Sequence, residues 1–160
     1  MTFKSKRTIT SMATGAAMMA AYIIYAMSAR APSAGELAAW ARLLLVFIGA
    51  AIAVVIGIQV LFHILFAVGV AVRERERTDG EVERIVAAEV HEDELDKLVT
   101  LKASHVGYTI TGCGLVAALV LLAFFGVSAI AALHVFVGAA AVGAFIEGGV
   151  SIRLYEKGVV

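Results

Sequence analysis

Four polar side chains sit inside long apolar runs, where each is costly to keep: Gln59, His63, His105 and Glu147. Ionisable groups in hydrocarbon mark ion pathways and proton relays. Depth along a helix decides which of them can meet. His63 lies ten residues before Arg73, Glu147 six before Arg153 and His105 three after Lys102. At a rise of ~1.5 Å per residue they stand roughly 15, 9 and 4–5 Å from the charged ends of their runs. Gln59 is four residues from His63 and shares its helix face. With Tyr108 nearby, a carboxylate neutralised by a histidine would suit a proton relay or coupling to a cation. The plainer expectation is that Glu147 snorkels to the interface and pairs with Arg153 or Lys102, while His63 hydrogen-bonds a neighbouring backbone. His134 stands roughly 25 Å from His63 by helix rise, which argues against a bis-histidine haem site.

A second set of carboxylates, Glu89, Glu92, Asp93 and Asp96, recurs at spacings of three, four and seven, with His91 and Glu94 adjacent. On a helix these four share one face and offer oxygen ligands to a divalent cation. The glycine-containing, oxygen-rich turn of a dedicated calcium loop is missing, so a solvated acidic face or a contact for a basic partner is expected instead. The chain has no Gly-rich phosphate loop, no HExxH, no GxSxG and no nucleophile beside a base, so an enzyme is not expected, nor a cofactor or metal. The single cysteine, Cys113, falls in an apolar run, so it builds no disulfide framework or zinc cluster and is expected to be buried and inert. No basic stripe with interleaved aromatics points to nucleic acid.

The elements that hold these residues follow from composition. The chain of 160 residues is 61% hydrophobic, against ~45–50% in soluble domains. Apolar stretches at 9–29, 40–72, 103–125 and 128–150 each reach the ~20 residues that a membrane-crossing helix needs. The second is longer than required and should tilt or project. Between the second and third lies the segment 73–102, with six of the 13 basic residues and ten of the 13 acidic ones. The fold expected is therefore an all-α, single-domain membrane bundle of four transmembrane helices. It comprises two antiparallel hairpins, closed by a loop around Pro32 and Gly35 and by a tight turn at Gly126-Val127, with a helical connector between them. Thr78 and Glu81 fit a capping box within that connector, which is expected to run into span three. Lys4, Lys6 and Arg7 before an apolar stretch resemble a signal peptide, but Pro32 directly follows the best cleavage site, so a first transmembrane helix is expected.

Small residues at four-residue spacing mark faces where helices approach closely, because lipid gives Leu no reason to pack on Leu. Span two carries Gly49, Ala53 and Gly57, and span four Ala140, Ala144 and Gly148. Packing within one four-helix bundle and formation of a homodimer both use such faces. The ends of spans two and four echo one another, from Gly69-Val70 to Arg77 and from Gly149-Val150 to Lys157, and Thr-Ile-Thr recurs at 8–10 and 109–111. A duplicated hairpin, giving a parallel repeat, is one reading. The general likeness of basic helix ends is the other.

The run from Asp93-Glu94-Leu95-Asp96-Lys97-Leu98 to Gly107-Tyr108, with Arg153-Leu154-Tyr155-Glu156-Lys157-Gly158 near the end, resembles small, functionally uncharacterised four-helix membrane proteins of bacteria and archaea. The resemblance covers the second half of the chain. Those proteins typically carry Arg where Leu95 stands. It implies a multi-pass protein of a prokaryotic cytoplasmic membrane, and no activity.

Function is then expected to be non-enzymatic: a regulatory or accessory subunit acting in the lipid bilayer on a second copy or a partner membrane protein. The alternative is a small proton- or cation-coupled transporter or channel component. Eleven basic residues fall on the side of the two termini and connector, and only Arg30 and Arg42 on the other, which places both termini in the cytoplasm. With Cys113 replaced by Ser, a cysteine at Ser33 should react with a membrane-impermeant maleimide in intact cells, and one at Gly158 only after lysis. The opposite pattern would invert the topology.

Overall fold

The computed structural model describes residues 3–73 and 94–157, which form four helices. They are α1 (Phe3–Ala26), α2 (Leu37–Arg73), α3 (Glu94–Phe124) and α4 (Ala129–Lys157). All four are long and apolar enough to cross a membrane. Apolar runs locate these helices but understate them. α3 begins at Glu94 and α4 continues to Lys157, because a charged turn extends a helix into water at little cost once its apolar body is formed. Glu94–Lys102, expected in the connector, is thus continuous with span three. The capping box at Thr78 and the carboxylates Glu89, Glu92 and Asp93 lie outside the described residues.

Local chemistry fixes the ends. Ser128 caps α4 by accepting the Ala131 N–H at 3.2 Å, as Ser does at an N-cap. Gly126 turns the chain between α3 and α4 with φ 64°, a conformation that costs an L-residue roughly 1–2 kcal/mol. Ahead of α2, the Ser33 N–H donates to the Glu36 carboxylate at 3.1 Å, and the Trp40 indole N–H donates to the Ser33 carbonyl at 3.1 Å. Threonine hydroxyls inside the helices donate to the carbonyl four residues back, at 2.9 Å for Thr14 and 2.8 Å for Thr109. That bond satisfies a hydroxyl without any partner helix.

Helices α3 and α4 make the most extensive interface, running antiparallel through small residues. A Cβ built at Gly114 would overlap the Ala139 methyl, and one at Gly143 would lie 2.8 Å from the Gly107 carbonyl oxygen. The buried stripe of α3, Asp96, Val99, Ala103, Gly107, Gly114 and Ala118, is spaced by threes, fours and one seven. α1 lies against both α4 and α2, whereas α2 reaches α4 only slightly. Helix α2 therefore hangs on α1. Of the small-residue faces, Gly148 is buried against Met12, while a Cβ at Gly49 or Gly57 would meet nothing within 4 Å. Ala53 is exposed with them, and Ala140 is half-buried. Cys113 is exposed, contrary to expectation, because α3 turns this face outward.

These contacts distinguish glycines that look alike in the sequence. Gly114→Ala should destabilise the fold by about 1–3 kcal/mol, the usual cost of overpacking. Gly112→Ala, which adds a methyl in open space, should be neutral or stabilising by up to about 1 kcal/mol. Thermal unfolding in detergent micelles compares the two.

Candidate functional site

Lys4 and Tyr155 border one cavity, so the start of α1 and the end of α4 share one end of the bundle, here the terminal end. The opposite end carries the two turns. Polar contacts concentrate at the terminal end because α1 enters it with three cations in its first turns, Lys4, Lys6 and Arg7. Lys4 forms an ion pair with Asp96 in the first turn of α3, where a carboxylate is also favoured by the helix dipole. The Arg7 Nε–H donates to Gln59 Oε1 at 2.6 Å, and the Gln59 amide N–H donates to Ser11 Oγ at 2.5 Å, tying α2 to α1. On the other side of the cavity, Ser104 Oγ donates to Glu147 Oε1 at 2.7 Å, tying α3 to α4. The second carboxylate oxygen rests against Gly107, where an added Cβ would lie 2.5 Å from it. Any side chain at 107 would displace Glu147.

Between these pairs lies a cavity of about 850 Å³ whose walls come chiefly from α1 and α4, with Gln59 of α2 and Asp96 and Thr100 of α3 at its edge. Its polar lining includes Lys4, Arg7, Gln59, Glu147 and Tyr155, and its apolar walls are Met12, Met19, Ala141, Ala144 and Phe145.

Of the four intramembrane candidates, the cavity brings together two, Gln59 and Glu147. His63 is one turn along α2 from Gln59 but outside the walls, since α2 diverges from α4. His105 is exposed, and Tyr108 is 73% exposed on the outer face of α3. Both face away from the side of α3 on which they were expected. Ser104 and Gly107, each one residue away, face Glu147 instead, and one residue is ~100° of helix rotation. Glu147 consequently bonds Ser104 rather than Arg153 or Lys102. Asp96 departs from the expected solvated acidic face. It is 5% exposed, because the buried stripe of α3 starts there and Lys4 meets it. Among the described residues no group of His, Cys, Asp and Glu is placed to hold a metal ion. Lys4, Arg7, Ser11 and Ser104 belong to the site and were not singled out from the sequence. The signal available for Ser104 was its place beside Ala103 and Gly107 on the small-residue stripe.

The turn end has its own polar lock. The Tyr22 hydroxyl and His134 Nε2 are 2.8 Å apart, and His134 Nδ1 is 2.7 Å from the Ile130 carbonyl oxygen. A carbonyl only accepts, so the proton is on Nδ1 and Nε2 accepts from tyrosine. Trp40 meets the His134 ring edge-on at 4.8 Å, and Phe47 meets Tyr22 at 5.3 Å.

No protein-family model, curated protein or solved structure matches the chain. Its chemistry is therefore read from these contacts alone.

Removing the Ser104 hydroxyl leaves Glu147 without the bond that compensates its partial burial. Ser104→Ala should cost about 1–3 kcal/mol, and Glu147→Gln, which retains an acceptor, less. In a double-mutant cycle read by unfolding in micelles the two should couple by about 1 kcal/mol. Additive effects would mean that the hydroxyl and carboxylate do not interact.

Proposed function

We propose that this chain is a multi-pass protein of the cytoplasmic membrane, two hairpins with both termini in the cytoplasm, that has no enzymatic activity and acts as an accessory or regulatory subunit. It works by associating with another membrane chain, and a second copy of itself is the partner that α2 fits best. The observation that carries this reading is the outward face of α2. Gly49 and Gly57 meet nothing within 4 Å, Ala53 is exposed between them, and only 6% of the apolar window of α2 is buried. Each glycine in a helix interior costs about 1 kcal/mol relative to alanine. Facing lipid, it returns no packing for that cost. Against another helix it permits the close backbone approach on which association in a bilayer depends. A two-fold crossing of α2 on α2 would give both copies the same contact.

The cavity favours a second reading, transport of a proton or cation along Gln59 and Glu147. It has the intramembrane carboxylate that such a path needs. It lacks the histidine partner, since neither His63 nor His105 lines it.

Association is tested by counting subunits of the purified protein in nanodiscs. Dimers are expected for the native chain. Ala53→Leu and Gly57→Leu should weaken self-association by about tenfold or more, equivalent to ~1.4 kcal/mol. Gly138→Leu, in open space on α4, should leave it unchanged. Equal association in all three variants would contradict the reading.

A further inference from the structure

The terminal-end cavity has a shape that an ion path would not need. On α1 its wall runs from Lys4 to Met19 and on α4 from Tyr155 to Ala141. These are fifteen and fourteen residue steps, so the groove is roughly 21–23 Å long at ~1.5 Å per residue. It runs parallel to the helices, and its polarity is graded in one direction. At the foot are Lys4, Arg7, Thr8, Ser151 and Tyr155, one or two turns higher are Ser11, Gln59 and Glu147 beside Met12, and above them are Gly15, Met19 and apolar residues of α4. Gly15 contributes to the width, since a Cβ there would meet nothing within 4 Å. A phospholipid in one leaflet has the same gradient along the same axis: phosphate, then glycerol oxygens, then acyl chain.

We propose that this groove binds a phosphate-bearing, single-chain amphiphile of the bilayer, with its phosphate on Arg7 and its chain between α1 and α4. Charge selects the phosphate. Arg7 gives only its Nε–H to Gln59, which leaves the two Nη groups, and a guanidinium fork suits phosphate oxygens. The Lys4–Asp96 pair beside it is neutral as a unit. Depth separates the charges. Arg7 is near the foot, whereas Glu147 adjoins Gly148, which packs on Met12, more than one turn above Arg7. A phosphate at Arg7 is thus held away from the carboxylate. Glu147 gives one oxygen to Ser104 and rests the other against Gly107, so both are engaged at the α3–α4 contact. A volume of about 850 Å³ is within the ~300–1,000 Å³ of ordinary ligand sites. One chain and a headgroup fit that size better than a diacyl lipid.

The inference is independent of association through α2, because groove and α2 face share no residue. It is tested by native mass spectrometry of the full chain in detergent, titrated with lysophosphatidate, with monoacylglycerol of the same chain length, and with inorganic phosphate. One lysophosphatidate per chain is expected, with monoacylglycerol binding at least about tenfold more weakly, as loss of charge-assisted bonds implies. Inorganic phosphate should neither bind nor compete at equal concentration. Arg7→Gln should weaken lysophosphatidate binding about tenfold or more, and Gly15→Leu should block it by filling the groove. Lys6→Gln, an exposed cation outside the groove, should leave it within about twofold, as screened surface charges do. If Arg7→Gln prevents folding, Gly15→Leu and the ligand series still decide. The proposal is overturned by binding that survives Gly15→Leu, by equal affinity for monoacylglycerol, by displacement with inorganic phosphate, or by no stoichiometric binding.

Discussion

A polar stripe on α1 holds this bundle together. Lys4 reaches α3, Arg7 and Ser11 reach α2, and Tyr22 reaches α4. In an apolar medium the hydrophobic effect does not drive helix against helix, so close packing and hydrogen bonds set the arrangement. Close packing serves α3 and α4, whose glycines let the backbones meet. It does not serve α2, whose glycines face outward. For α2 the attachments are the bonds from α1 and the packing of its first three turns, with Trp40 against His134, Leu44 buried and Phe47 against Tyr22.

The same stripe explains why the cavity exists. Helix α1 meets α4 closely at Met12 and Gly148 and again at Tyr22 and His134. Around the lower contact the small residues Gly15, Ala141 and Ala144 leave space that neither helix fills. Arg7 and Glu147 are held at the edge of that space by Gln59 and Ser104, each on a different helix. Partial burial of these two charges is tolerable on such terms, since each has a hydrogen-bonded partner.

The sequence made one coordinate of this structure legible. Counting residues from charged ends gave depth, and it put Gln59 and Glu147 in the same half and His134 at the other end. Helix existence was equally plain, because apolar runs of this length have few other uses. Azimuth was hidden. It depends on which face of α3 packs, and a shift of one residue exchanged His105 for Ser104 and Tyr108 for Gly107. The inward turn of Asp96 was hidden for another reason: its partner Lys4 is ninety-two residues away, and no local pattern announces it. The looseness of α2 was also unreadable, since Gly49-Ala53-Gly57 has the same spacing whether it faces a neighbour in the chain or the outside. That Glu147 lies against the small residues of α3 was hidden too, since it depends on which face of α3 meets α4.

The dependence of α2 on α1 is the claim most open to direct measurement. Spin labels at the terminal ends of α1 and α2, in nanodiscs, report the distance between the two helices by double electron–electron resonance. A narrow distribution is expected for the native chain, and a broad one shifted to longer distance when Gln59→Leu removes the bonds to Arg7 and Ser11. A distribution that stays narrow and unshifted in Gln59→Leu would show that α2 is held by something other than the polar stripe of α1.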